Sequence, residues 1–194
     1  ILFENVPSSR KWLPVIVNAM RDGKVIEMTY QSFWRDEPNT FKAEPYCLKL
    51  FRQRWYVLAR SEGRDDPWIY SLDERMLKVV QTSRRFELPA EFSAEQFFAD
   101  YFGIIVGADN EPTEVKIRVA KSQEKYFDTL PLHDSQRKVE AESDADYTVY
   151  RYHLATTYDF KQEILSRGAS VTVLSPEYFR REVREDLRKM LANY

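Results

Sequence analysis

The sequence predicts an α+β chain with a small β-barrel followed by a ferredoxin-like βαββαβ domain and a tail helix. Residues 24–82 hold five short β-rich segments separated by closely spaced turns, which fits a small barrel. Residues 113–174 alternate in the order β-α-β-β-α-β, which is the split βαβ plan. These two patterns define the predicted fold class.

A helix is predicted at residues 8–22, ahead of the barrel. Ser8 or Ser9 can cap its first turn, apolar side chains recur at the helical period, and Gly23 can end it. Within the barrel segment, the β-rich patterns predict strands at 25–30, 41–51, 54–60, 67–72 and 76–82.

The rest of the chain is predicted to form a connector and a second domain. The connector carries a short helix near 93–102. The second domain carries strands at 113–119, 136–142, 147–155 and 169–174, and helices at 121–129, 158–167 and 177–192. The predicted parts are therefore a linker helix (1–23), the barrel (24–83), the connector (84–111) and the second domain (112–194).

The composition limits the functions that the chain can have. Its net charge of −2 over 194 residues argues against a protein that binds nucleic acid with its whole surface. A single cysteine excludes an internal disulfide framework. With no secretory signal and no long apolar run, the chain is predicted to be cytoplasmic, without a membrane partner. Because it begins at Ile1 rather than at methionine, we expect it to belong to a longer or processed protein.

The basic and aromatic stretch at residues 45–60 is the strongest local signal for a ligand. The stretch contains no acidic residue, and aromatic side chains lie between its cations. These cations are Lys49, Arg52, Arg54 and Arg60. Strand alternation predicts that one face of this strand, with Trp55, Val57 and Ala59, points to the core. The second face then carries Arg54, Tyr56 and Arg60. The second face could bind a phosphate or stack on a base, so this pattern predicts an anionic partner.

An alternative interpretation stays open for each candidate. The arginines could lie on a solvated strand face and pair with nearby acids, namely Glu62, Asp65, Asp66 or Glu74. Arg75 is a second candidate for ligand binding, but a pair with Asp73 could equally serve to support a turn.

No pattern in the sequence predicts catalysis, a metal site or a cofactor. The histidines, His133 and His153, lie far apart in the second domain, and Cys47 has no histidine near it in the sequence. The five glycines are dispersed and form no phosphate-binding loop. We therefore predict a protein that is not an enzyme.

Several segments together carry a family resemblance. Trp55-Tyr56-Val57 resembles the triplet that names the WYL family of bacterial transcriptional regulators. Further similar motifs are Ile26–Tyr30, Glu44–Leu48 and Leu72–Met76, and Glu74 in the last of these departs from the family pattern. The second half resembles the family's C-terminal extension, at Leu130–Gln136, Ile164–Gly168 and Val171–Pro176.

The resemblance implies a fold and a function. The WYL domain is an Sm-like, SH3-type barrel that senses a ligand, either a nucleotide or a short single-stranded nucleic acid. It usually follows a DNA-binding helix-turn-helix domain that contacts promoter DNA, and these proteins commonly form homodimers. On this reading, the helix at 8–22 would link the barrel to a DNA-binding domain that is missing from this chain.

The resemblance also implies a ligand site. It falls on Tyr56 and Arg75, with Arg52, Arg54 and Arg60 nearby. Three weaker candidates end or lie on barrel strands near the same motifs, namely Tyr30, Ser32 and Tyr70. The alternative is an interaction module in which the barrel is purely structural and the extension dimerises. The apolar stripe of the tail helix could take part in dimerisation or pack on its own sheet.

Overall fold

The computed structural model describes residues 10–107 and 111–194, so the predicted caps Ser8 and Ser9 lie outside the described residues. The chain divides into two compact units with the boundary between Ala94 and Glu95. The finer four-part division stays a prediction. No helix within the described ranges is long and apolar enough to cross a membrane.

From Arg10 onward, the first unit consists of an antiparallel five-stranded sheet and the helix α1. Its elements are α1 (Leu13–Arg21), β1 (Lys24–Tyr30), β2 (Asn39–Phe51), β3 (Arg54–Ser61), β4 (Trp68–Ser71) and β5 (Met76–Arg85). The strand order is β4-β3-β2-β1-β5, so β4 and β5 form the two edges. A short 3-10 turn at Arg10–Trp12 precedes α1.

The long strand β2 joins the two halves of this sheet. Its first part pairs with β1 and its later part pairs with β3, with a register shift between Pro45 and Cys47. Such an irregularity bends a strand and increases its twist, which lets β2 serve two neighbours. At its end, Arg52 (φ 46°) and Gln53 (φ 65°) both adopt the left-handed conformation of a tight two-residue hairpin turn.

The core of the first unit confirms the predicted strand alternation. Val57 and Ala59 of β3 are wholly buried, and Trp55 packs against the same cluster. Ile16 and Ala19, on one face of α1, join that cluster from the helix side. Burial of this apolar surface holds the helix on the sheet.

The second unit has the predicted split βαβ order. After α2 (Ala94–Phe98), its elements are β6 (Thr113–Ala120), α3 (Glu124–Thr129), β7 (Arg137–Lys138), β8 (Tyr147–Leu154), α4 (Tyr158–Ser166), β9 (Val171–Ser175) and α5 (Glu177–Leu191). The antiparallel strand order is β7-β8-β6-β9. In both units the α+β class is therefore confirmed.

One strand is much shorter than the sequence predicts. The strand expected at 136–142 is limited to the two residues of β7, and a 3-10 turn follows at Glu140–Glu142. The hydroxyl of Ser143 donates to the Val139 carbonyl at 2.8 Å and accepts from the Val149 N–H at 3.0 Å. This local side-chain bonding takes the place of a further ladder bond.

The tail helix α5 buries only part of its apolar stripe. Phe179 and Val183 lie in the core of the second unit with Phe160. Farther along the helix, Leu187 is 47% exposed and Leu191 is 77% exposed. The first half of α5 therefore buries its apolar side chains in its own unit, as expected, whereas Leu187 and Leu191 in the second half stay largely exposed.

Candidate ligand-binding site

The candidate site is centred on Asp73, in the short connection between β4 and β5. This carboxylate is wholly buried. Arg75 donates to it from Nη2 at 2.7 Å and from Nε at 3.0 Å, and Arg54 Nη1 lies 3.3 Å from Oδ2. The Ser71 hydroxyl also donates to it, at 2.7 Å. We call Arg54, Ser71, Asp73 and Arg75 the arginine cluster.

Local backbone geometry explains why Asp73 and Arg75 face one another. The Arg75 N–H donates to Asp73 Oδ1 at 3.0 Å, and the Met76 N–H donates to the Asp73 carbonyl at 3.0 Å. A carboxylate that accepts from the backbone two residues ahead forms an Asx turn. The intervening Glu74 is exposed and does not separate the pair. The Asp73–Arg75 pair thus supports a turn, as the alternative interpretation predicted.

The arginine cluster carries a net positive charge. Burial by itself would raise the pKa of Asp73, but hydrogen bonds from Arg75 and Ser71 lower it below its ordinary value. Burial by itself would lower the pKa of Arg75, but the bond to Asp73 raises it. One ionised carboxylate therefore serves two guanidiniums, and the side chains of Arg54 and Arg75 remain 31% and 21% exposed.

Aromatic rings surround the Arg75 guanidinium. Its central carbon lies 4.3 Å from the ring centroid of Phe33 and 5.6 Å from that of Tyr30. The Tyr30 hydroxyl is 3.1 Å from Ser71 Oγ, and burial raises the pKa of Tyr30, so this phenol stays neutral. Phe33 is exposed and offers a ring face beside a cation.

Arg54 has a donor without a partner. Its Nε is buried and has no hydrogen-bond partner within the part of the chain that the structure describes. Buried donors of this kind are uncommon in folded proteins and call for an explanation. The rest of the guanidinium lies beside Asp73, so the side chain is held in place while part of its hydrogen-bonding capacity is unused.

An aromatic groove of about 400 Å³ adjoins Tyr30. Tyr70 packs edge-on against Tyr30, with 5.4 Å between the ring centroids, and both line the groove with Ser32. Arg64 and Trp68 also line the groove, and the guanidinium carbon of Arg64 lies 5.1 Å from the ring centroid of the exposed Trp68. The groove thus combines cations with ring surfaces, which suits a base or a nucleotide.

The eight predicted site residues fall into three groups. Tyr30, Arg54 and Arg75 meet at the arginine cluster, and Tyr56 is paired in register with Ser71 on the neighbouring strand. Ser32 and Tyr70 line the aromatic groove. The remaining two, Arg52 and Arg60, lie elsewhere.

Arg52 and Arg60 have surroundings of their own. Arg52 sits in the β2–β3 turn, with its guanidinium carbon 5.3 Å from the ring centroid of Phe51. Arg60 donates to Glu44 at 3.0 and 2.7 Å. The acids paired with Arg54 and Arg60 are therefore Asp73 and Glu44, which are not the acids that the sequence suggested for them.

Sequence reasoning missed two contributors and undervalued a third. Ser71 and Phe33 were not proposed, and Asp73 was considered only as a partner of Arg75. The signal for Ser71 was present, because Ser71-Leu72-Asp73 puts two polar side chains at alternate positions of a strand end. No comparable signal marks Phe33, whose loop position becomes meaningful only in three dimensions.

Comparison with known proteins identifies the domains. The family profile described as the WYL domain matches residues 11–80, and the profile described as the WCX domain matches residues 111–191. The chain is a WYL-domain protein. This match confirms the resemblance seen in the sequence. The WYL and WCX domains are regulatory domains and are not known as catalytic families.

Similar folds occur among solved structures. Proteasome accessory factor B/C (PafBC) of Arthrobacter aurescens is 16% identical over 92% of this chain and 26% of its own, with a TM-score of 0.44. A CRISPR Cas-related protein is 14% identical over 93% of this chain and 50% of its own, with a TM-score of 0.52. The likeness to the Cas-related protein shows a shared fold. This WYL protein spans at most half the length of either of these two chains. A comparison with curated proteins gives no significant match.

Proposed function

We propose that this WYL protein is the ligand-sensing part of a bacterial transcriptional regulator. Its ligand is a nucleotide or a short single-stranded nucleic acid, bound at the arginine cluster and the aromatic groove. The observation that carries the proposal is the sharing of one buried carboxylate, Asp73, by Arg54 and Arg75. Within the arginine cluster, this arrangement leaves an excess of one positive charge beside the exposed ring of Phe33.

The chemistry of the cluster suits a phosphate. Asp73 orients the two guanidiniums from the buried side, so that their exposed edges can donate to phosphate oxygens. Bases would stack on Phe33 at the cluster or on Trp68 in the groove, both of which are exposed. In this reading Tyr56 borders the cluster, next to Ser71.

Regulation would follow from a change in subunit arrangement. The ligand would favour one arrangement of a homodimer over another, and so alter the spacing of DNA-binding domains carried outside this chain. Scattering that records identical dimers with and without bound oligonucleotide would contradict this mechanism, whereas a ligand-dependent change in dimer dimensions would support it.

Ligand binding is tested by fluorescence anisotropy with labelled single-stranded DNA and RNA at low and at physiological salt. We expect Arg54→Gln and Arg75→Gln each to weaken binding at least tenfold, because a hydrogen bond to a charged group contributes about 1.5–3 kcal/mol. Arg21→Gln is the matched control, since it removes the same charge from an exposed site on α1 that lines neither surface. Circular dichroism verifies that each variant is folded.

The proposal fails if no oligonucleotide or mononucleotide binds at low salt. It also fails if the three variants weaken binding equally, because the effect would then follow net charge and not the cluster.

An interaction module is the second candidate function. The exposed apolar side chains at the end of α5 favour it, namely Leu187, Met190 and Leu191. In that case, the double variant Leu187→Ser with Leu191→Ser would dissociate an oligomer in analytical ultracentrifugation, and Arg54→Gln would leave regulation unchanged.

A further inference from the structure

A second, smaller pocket also borders the turn that joins β3 and β4. It has a volume of about 240 Å³ and is formed by strands β1, β2, β3 and β5 together with the turn. Its charged lining residues are Lys42, Glu44, Arg60, Glu62, Arg64 and Arg84. We call it the Arg84 pocket. None of the site residues predicted from the sequence except Arg60 belongs to it.

Cations outnumber carboxylates in the lining of the Arg84 pocket, although the whole chain is acidic. Four of its side chains are cationic and two are carboxylates, so its formal charge is +2, whereas the whole chain has a net charge of −2. A local excess of positive charge attracts anions, and two of the four cations, Arg60 and Arg84, are paired with the carboxylates of Glu44 and Glu62. The pocket therefore has the electrostatics of an anion site.

The two ion pairs of the pocket, Glu44–Arg60 and Glu62–Arg84, differ in how far they are exposed to solvent. Glu44 accepts two bonds from Arg60 across the β2–β3 pair and is largely buried. Glu62 pairs with Arg84 from the turn, and these two side chains are 51% and 55% exposed. An exposed pair contributes little to stability, so an incoming anion can take the place of Glu62 beside Arg84.

The turn connects this pocket with the aromatic groove. Ser61, Glu62, Gly63 and Arg64 line both. Gly63 has φ of +81° and no atom within 4 Å of the place where a Cβ would stand, so the backbone surface there is open. The groove and the Arg84 pocket therefore adjoin at this turn, and Arg64 lines both of them.

We propose that the Arg84 pocket is a second phosphate-binding site, and that the ligand is a single-stranded oligonucleotide with more than one phosphate. The inference rests on the proposed function, because the first nucleotide occupies the arginine cluster and the groove. The Arg84 pocket adds affinity only for ligands long enough to place a further phosphate beside Lys42, Arg64 and Arg84.

The test is calorimetric titration of the whole chain with 5′-phosphorylated thymidylates of one, two, four and eight residues. We expect affinity to rise at least tenfold from the mononucleotide to the longer members. Arg84→Gln and Lys42→Gln should remove most of that rise and leave mononucleotide binding unchanged. Each lost phosphate contact should also lower the slope of log K against log salt concentration by about 0.7.

Glu62→Gln provides the sharpest control. It breaks the same ion pair as Arg84→Gln, so an effect on folding alone would move both variants in the same direction. A phosphate site predicts opposite changes in the gain of affinity from the mononucleotide to the longest thymidylate: Glu62→Gln removes a repelling carboxylate and increases that gain, whereas Arg84→Gln reduces it.

Two results would overturn the inference while leaving the proposed function intact: equal affinity along the length series, or a shift of both variants in one direction. Failure of the thymidylates and of every labelled oligonucleotide and mononucleotide to bind would instead overturn the proposed function, and the second site with it.

Discussion

The replacement Asp73→Asn tests whether one buried carboxylate organises the arginine cluster. Asparagine has nearly the same shape but carries no charge, and its amide group would face donors on Arg54, Ser71 and Arg75. The variant thus leaves two guanidiniums close together without their shared counter-ion. We expect the first unit to lose stability.

The magnitude follows from the burial of the three charged side chains. Removing one partner of a buried ion pair costs roughly 3–5 kcal/mol. Water can solvate part of both cations here, because the Arg54 and Arg75 side chains stay 31% and 21% exposed. We therefore expect a loss of about 3 kcal/mol, at the lower end of that range, which corresponds to a fall in Tm of roughly 12–24 °C for a unit of this size.

Urea unfolding followed by tryptophan fluorescence measures this loss in the right unit. All four tryptophans belong to the first unit, namely Trp12, Trp34, Trp55 and Trp68. The matched control is Asp36→Asn in the exposed β1–β2 loop, which we expect to change stability by less than about 0.5 kcal/mol. If Asp73→Asn also costs less than about 1 kcal/mol at pH 7, the reasoning about the shared carboxylate is refuted.

The same variant predicts a pH dependence. Because the folded-state pKa of Asp73 is lowered, its stabilisation is complete above the ordinary pKa of an aspartate, about 4, and is lost as pH falls through the folded-state value. The difference in unfolding free energy between the native chain and Asp73→Asn should be largest at pH 7 and shrink below about pH 4. A difference that stays constant down to pH 3 would contradict the assignment.

Two further predictions concern the second unit. Gly103→Ala should destabilise the second unit by about 1–3 kcal/mol in thermal melts, because φ is +86° and the new Cβ would collide with Asp159. Gly168→Ala is the control: φ there is +56°, but the Cβ would stand in open space, so we expect a cost of about 1 kcal/mol. Equal losses would show that the collision is relieved. In an NMR titration, Glu124 should ionise with a pKa of about 2, because Lys138 and Lys121 donate to it; Lys138→Gln should raise that pKa, and an unchanged value would contradict the assigned cause.

The fold was predictable because its signals are local and periodic. The apolar alternation at Val57 and Ala59 faces the core as the sequence indicates, and the β-α-β-β-α-β order becomes the observed sheet. The short strand β7 was not predictable in the same way. Its length depends on Ser143, whose hydroxyl bonds Val139 and Val149 across a loop, and sequence periodicity does not report such bonds.

The candidate site was predictable only in part because partners depend on register. Arg60 pairs with Glu44, which lies opposite it across β2 and β3, and that register includes the irregularity at Pro45. Arg52 was expected near the site but lies in a left-handed turn. Alternation along one strand gives the face of a side chain, whereas its partner requires the pairing of a second strand.

The shared carboxylate also limits how strongly the arginine cluster can hold a bare anion. Asp73 neutralises one of the two guanidinium charges, so a phosphate meets a single net charge that salt screens further. Stacking on Phe33 or Trp68 would add about 1–3 kcal/mol per base, or at least fivefold in affinity. We therefore expect a mononucleotide to compete with labelled oligonucleotide at least fivefold better than inorganic phosphate does. Equal competition would mean that the exposed aromatic rings take no part in binding, and that charge alone accounts for the site.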